Sequence, residues 1–148
     1  MSKTIKVNNK QKVVIVPCSG IGKTYGTVSR EAAYDVVEEL RPDRSKLVAL
    51  SMLVLGDEQA KSAVAANPVV TIDGCKLACA TKMVQESGGE VARDFAVLDV
   101  YRNHRQFKPR GIAVLNEGGQ QLARVLAEEV ATVVDDVTGT SREGGQNA

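Results

Sequence analysis

Val13-Val14-Ile15-Val16-Pro17-Cys18-Ser19-Gly20-Ile21-Gly22-Lys23-Thr24-Tyr25-Gly26 is the stretch on which the fold turns. Four apolar residues halted by a proline read as a strand buried on both faces. The glycines after Cys18 form a tight turn. Beyond them Val28, Ala32, Ala33, Val36, Val37 and Leu40 share one face of a helix that stops before Pro42. A buried strand feeding a helix through a glycine turn opens an α/β domain with a parallel sheet.

The same alternation continues outward. Residues 46–51 read as a second short strand, and Asp57 caps a small helix that runs through Ala66 and closes at Asn67-Pro68. Residues 69–72 form a third buried strand ending in Asp73-Gly74-Cys75. A helix follows directly to about Gln85, with Gly88-Gly89 as its stop. Residues 95–100 look like a fourth strand, residues 102–111 are basic and irregular, and residues 112–115 suggest a short fifth strand. From about Gly119, Leu122, Leu126, Val130, Val133 and Val137 make a helical stripe that covers the sheet or seals a symmetric homodimer. The expectation is an α/β fold: a small, mainly parallel sheet of four or five strands with helices on both faces. It occupies residues 12–138 as one domain, after an N-terminal extension over residues 1–11 and before a disordered tail over residues 139–148.

Composition removes several function classes. Hydrophobic residues at 43% in a chain of 148 supply a core without disulfide staples. A net charge of +1 gives no field that would gather a polyanion, and two phenylalanines, three tyrosines and no tryptophan do not make a stacking platform, so nucleic acid is not an expected partner. No apolar run reaches the roughly 18 residues of a membrane span, and the basic N-terminus leads only into a short strand, not a secretory signal. A cytoplasmic protein is expected. Three cysteines, an odd number, do not suit a disulfide framework; in a reducing compartment they are inert or carry chemistry.

The cysteines have a common address. In a parallel sheet every loop leaving a strand's carboxyl end lies on one edge. Cys18 follows the first strand and Cys75 the third, so neighbouring strands would bring them to one crevice. On an unbroken helix Cys79 would lie one turn beyond Cys75 on the same face, with Cβ atoms roughly 5–6 Å apart. A disulfide wants roughly 3.5–4.5 Å. Two thiolates on one zinc stand about 3.8 Å apart, which side-chain torsions can reach. The spacing therefore favours shared ligation, while Cys18 retains the option of a disulfide with Cys75 or Cys79. Cys75 in a helical first turn would gain thiolate character from the helix dipole, with Lys23, Lys76 and Lys82 adding positive potential. Small buried thiols without chemistry are the competing account.

The glycine turn also approaches phosphate-binding motifs. Gly22-Lys23-Thr24 match the end of a P-loop, but Pro17 stands where the first glycine belongs. Gly20 and Gly22 match a dinucleotide fingerprint, but Tyr25 replaces the third glycine. A turn beneath the cysteines is the first reading. A small-anion site on Ser19, Gly20, Gly22, Lys23 and Thr24 is the second, and a degenerate P-loop nucleotide-binding protein the third. Asp73 reads as a helix cap, His104 as part of a solvated basic loop, and Met52 and Met83 as core.

Val69-Val70-Thr71-Ile72-Asp73-Gly74-Cys75 followed by Cys79-Ala80-Thr81-Lys82, with the earlier Cys18-Ser19-Gly20, resembles the DGC-domain family of proposed zinc-binding proteins. The resemblance covers most of residues 12–89. It implies a small cysteine-rich α/β domain with Cys18, Cys75 and Cys79 as zinc ligands and no particular reaction; Asp73, Gly74 and Lys82 stand beside those cysteines in the sequence as candidate support. Relatives carry a further cysteine near the end of the second strand. Here Leu50-Ser51-Met52-Leu53-Val54-Leu55-Gly56-Asp57-Glu58 has none, so a closed four-cysteine site is not expected. Three thiolates leave zinc an open position for water, His104, Asp73 or an outside ligand. The same three could instead hold an iron–sulfur cluster, or Cys18 could cycle through a disulfide with Cys75 or Cys79 in a thiol redox protein. Carrier, sensor and enzyme all fit this reading.

Overall fold

A computed structural model describes residues 12–18, 23–74 and 77–139. The expected N-terminal extension, and all of the expected tail except Gly139, lie outside the described residues. The elements in chain order are β1 (Val13–Pro17), α1 (Thr24–Asp35, prolonged by a π-helical turn over Val36–Leu40), β2 (Ser45–Leu47), α2 (Leu50–Leu55) and α3 (Glu58–Ala66). β3 (Val69–Asp73), α4 (Cys79–Glu86), β4 (Val91–Ala96), α5 (Val97–Arg102), a 3-10 turn (Arg105–Phe107) and α6 (Glu117–Thr138) complete them.

The four strands are all parallel in the order β2-β1-β3-β4. β1 and β3 are central and buried from end to end, as their valine and isoleucine content requires. Alternation along β1 divides the core. Val13 and Ile15, with Val70, Ile72 and Phe95, pack against α1, α5 and α6; Val14, Val16 and Val69 pack against Leu53, Val64, Ala80 and Val84 of α2, α3 and α4. The apolar stripe of α6 is spent on the first of these faces. The chain runs from β1 to β2 in one direction and from β2 through β3 to β4 in the other. Helices consequently cover both faces, and a switch point lies at the carboxyl ends of β1 and β3.

Five sequence expectations need correction, the first being that Met52, read as core, is exposed. The second strand ends at Leu47, and Leu50–Leu55 is a helix: Leu53 is buried while Val54 and Leu55 are exposed, one face in three rather than alternate residues. The fourth strand lies earlier than expected, at Val91–Ala96. Its Ala92, Arg93 and Asp94 are exposed on a sheet edge, while the apolar residues first read as strand start α5 and bury Val97 and Val100, three apart. Among the described residues there is no fifth strand. Gly111, at φ +106°, turns so tightly that a Cβ would stand 2.0 Å from the Val114 carbonyl oxygen, and Val114 is exposed. Finally, the helix after β3 begins at Cys79 rather than at Cys75.

Candidate functional site

The carboxyl edge of β1 and β3 carries the residues the sequence singled out. Cys18 follows Pro17, and its backbone N–H donates to the Ile72 carbonyl at 2.7 Å, extending the β1–β3 pairing by one step. The Ser29 hydroxyl of α1 reaches back to the Cys18 carbonyl and also lies 2.8 Å from the Gly26 carbonyl. The half-buried Cys18 packs on the core face shared with α2 and α4. Its place is therefore fixed by strand, helix and core together.

Asp73, the last residue of β3, is buried at 4% exposure and acts as a cap on a helix that begins six residues later. Its Oδ1 accepts from the Ala80 backbone N–H at 2.7 Å and its Oδ2 from the Thr81 hydroxyl at 2.8 Å. Thr71 Oγ1 stands 2.7 Å from Thr81 Oγ1, which closes a network between strand and helix. Reading Asp73 as a helix cap is borne out, with the cap thrown across an intervening turn.

Gly74 follows Asp73 directly. A Cβ there would meet the Tyr25 carbonyl carbon at 3.2 Å and the Gly26 nitrogen at 3.3 Å, both backbone atoms. Gly74 is thus pressed on the first turn of α1, and α4 begins only at Cys79. Ala78, at φ +54°, makes the last bend. Cys79 is then the first residue of α4 and its thiol is free and exposed. The expectation that Cys75 and Cys79 share one helix face, with Cys75 in the first turn, does not hold, because the helix starts four residues after Cys75. The two cysteines that are described hang from consecutive residues of β3: Cys18 is bonded to Ile72, and Ala80, directly after Cys79, to Asp73.

Cys75, Ser19, Gly20 and Gly22 lie outside the described residues. Lys23 is exposed at the N-cap of α1 and Thr24 begins that helix. Lys82 is exposed on α4. His104 stands apart in its role, its ring stacked on Phe107 with centroids 5.4 Å apart. Tyr25, in the first turn of α1, lies 6.0 Å from the ring of Tyr101; burial first, and Tyr101 second, push its phenol above the ordinary value, so it stays neutral and protonated. A pocket of about 230 Å³ adjoins the edge between Asp73, Ala78, Phe95 and Leu98, with Asp94 and Asp99 at its wall.

The sequence reading missed Ser29, Thr71 and Thr81. A signal existed for Ser29 and Thr71: a hydroxyl inside a fully buried strand or helix face needs a partner. Ser29 and Thr71 are wholly buried among valines and alanines.

Among the described residues no group of three His, Cys, Asp or Glu side chains is placed to hold a metal ion. The donor chemistry at the edge is nonetheless of one kind. The thiols of Cys18 and Cys79 are soft donors on rigid supports, the class that suits zinc or an iron–sulfur cluster and not magnesium or calcium. No helix among the described residues is long and apolar enough to cross a membrane. A family model described as DGC domain matches residues 14–137. No curated protein and no solved structure gives a significant match.

Proposed function

The chain belongs to the DGC-domain family, and from that premise we propose that it is a cytoplasmic metal-binding protein that holds zinc through the thiolates of Cys18, Cys75 and Cys79. The supporting observation is that Cys18 bonds Ile72 and that Ala80, the residue after Cys79, bonds Asp73, two neighbours on one strand at the switch point of the sheet. Ligands in a parallel sheet are received at that position. Cys75 is two residues from Asp73 and four from Cys79 in sequence.

Three thiolates supply three of the four donors zinc takes, and an incomplete protein set marks sites that exchange, sense or activate rather than purely structural ones. When bound, zinc would supply Lewis acidity and a place for one outside ligand. The protein's own part is to hold the sulfurs, through the Ser29 and Asp73 hydrogen bonds, and to offset negative charge. Lys23 and Lys82 are exposed and available for that second task. A small anion at the start of α1, on Lys23, Thr24 and the glycine turn, would be drawn by the same lysine and by unpaired backbone N–H groups.

Metal content per chain tests the reading, with wild type and Cys75→Ser grown in trace-metal-supplemented medium. About one zinc per wild-type chain and a large loss in the variant are expected. Equal, near-zero metal in both overturns the proposal. Visible absorbance would reveal an iron–sulfur cluster instead, and alkylated mass before and after reduction would reveal a cycling disulfide.

A further inference from the structure

The proposed site needs Cys79 held in one place, and α4 offers little of its own for the purpose. The helix has eight residues, too short to stand unaided, and its N-cap residue, Ala78, has no polar side chain. The anchor comes from outside the helix. Asp73 receives the backbone N–H of Ala80, the residue after Cys79, and the hydroxyl of Thr81; Thr71 holds Thr81 in turn. Asp73 sits beside Ile72, which fixes Cys18.

We propose that Asp73 is a positioning residue for the metal site, a buried charged cap that sets the separation of the Cys79 and Cys18 thiols without itself ligating. Both carboxylate oxygens are engaged with α4, and the Thr71–Thr81 contact orients one of them. The assignment rests on the metal reading above. It also explains the Asp of the Asp73-Gly74-Cys75 turn: Asp73 ties down the far cysteine, and Gly74 lets the turn close on α1.

Cobalt(II) titration of the chelator-treated full chain tests the assignment, because the ligand-field and thiolate charge-transfer bands report the donor set and its symmetry. Asp73→Ala is expected to weaken cobalt binding by about 10–100-fold, the usual cost of losing an outer-shell partner, and to change the band shape. Asp73→Asn keeps an acceptor for Ala80 and lets the Thr81 hydroxyl turn round, so binding within about threefold of wild type is expected. Circular dichroism confirms folding before titration. Should Asp73→Ala not fold, Thr81→Val carries the test, because it leaves the Ala80 cap in place; weakening of about three- to tenfold is expected.

A folded Asp73→Ala, or failing that Thr81→Val, with wild-type cobalt affinity and spectrum overturns the assignment. Wild type that takes up neither cobalt nor zinc overturns the metal reading instead. The hold on Cys79 is then read from its alkylation rate by iodoacetamide in the metal-free chain, resolved by peptide. A change of about threefold or more in Asp73→Ala, restored in Asp73→Asn, supports the positioning role, and an unchanged rate refutes it.

Discussion

Replacing Gly74 by alanine places one methyl group where two loops of the site meet. The added carbon would stand 3.2 Å from Tyr25 C, 3.3 Å from Tyr25 O and 3.3 Å from Gly26 N, inside ordinary van der Waals separation from one peptide group. All three are backbone atoms, so no side chain can swing away; the Asp-Gly-Cys turn or the first turn of α1 must shift by a few tenths of an ångström. Overpacking of this kind costs about 1–3 kcal/mol. For a chain of 148 residues, where 1 kcal/mol moves the melting temperature by about 2–4 °C, a fall of about 2–12 °C follows. The φ of Gly74 is not in the left-handed region, so none of this cost comes from backbone conformation. Thermal unfolding of the metal-free protein measures the first effect, and zinc affinity the second, because Gly74 directly precedes the proposed ligand Cys75 in sequence. Gly88→Ala is the control. Its φ of +89° makes alanine strained by about 1–2 kcal/mol, but open space surrounds it and zinc affinity should not change. If Gly74→Ala melts within 1 °C of wild type and binds zinc equally well, the two loops are not pressed together as described.

Two further perturbations probe the frame away from the site. Asp135, 7% exposed on α6, receives a two-pronged ion pair from Arg41 at 2.7 and 2.6 Å and a third bond from Arg44 at 3.0 Å, which locks α6 to the turn between α1 and β2. Asp135→Ala should cost about 2 kcal/mol, less than a fully buried pair because the arginines regain water, with zinc binding unaltered; a loss under 0.5 kcal/mol by urea denaturation contradicts the clamp. Asp35 titrates above the usual carboxylate range, chiefly through burial and also through Glu39, with Arg124 opposing. The folded state therefore binds this proton more tightly than the unfolded chain, and stability falls as pH rises through the raised value. Asp35→Asn should melt higher than wild type at neutral pH and lose that advantage below the ordinary carboxylate pKa; an advantage that grows in acid refutes the sign.

Much of the frame was legible because burial wrote it plainly. β1 carries an unbroken valine and isoleucine run and β3 one interrupted only by Thr71, Asp57 caps α3 by accepting from Ala60 N–H at 2.9 Å, and Asn67-Pro68 close that helix. The parallel sheet followed from the alternation of strand and helix. Misreadings cluster where apolar content and burial part company. β4 is an edge strand with Arg93 and Asp94 in its middle, so its sequence lacks the apolar signature, while the valines after it belong to a helix that buries two of them. The chain around Val54, Leu55, Ile112 and Val114 is apolar but exposed, which no periodicity announces.

At the site, the sequence placed Cys18 and the turn after Asp73 on one edge, and the β1–β3 pairing bears that out. It did not reveal that α4 starts at Cys79. A capping aspartate ordinarily serves the helix directly after it, whereas Asp73 caps a helix that begins six residues later, and Gly74 packs on the α1 backbone. Ser29 bonds back to Cys18, and Thr81 to Asp73 and Thr71, each on a different element, which a reading of single elements does not reach.

X-ray absorption at the zinc edge of the purified full chain tests the central claim most directly. The account predicts about three sulfur scatterers per zinc near 2.3 Å and one lighter atom, with one sulfur lost in each of Cys18→Ser, Cys75→Ser and Cys79→Ser. A first shell of nitrogen and oxygen alone, or a shell unchanged by all three substitutions, would contradict it.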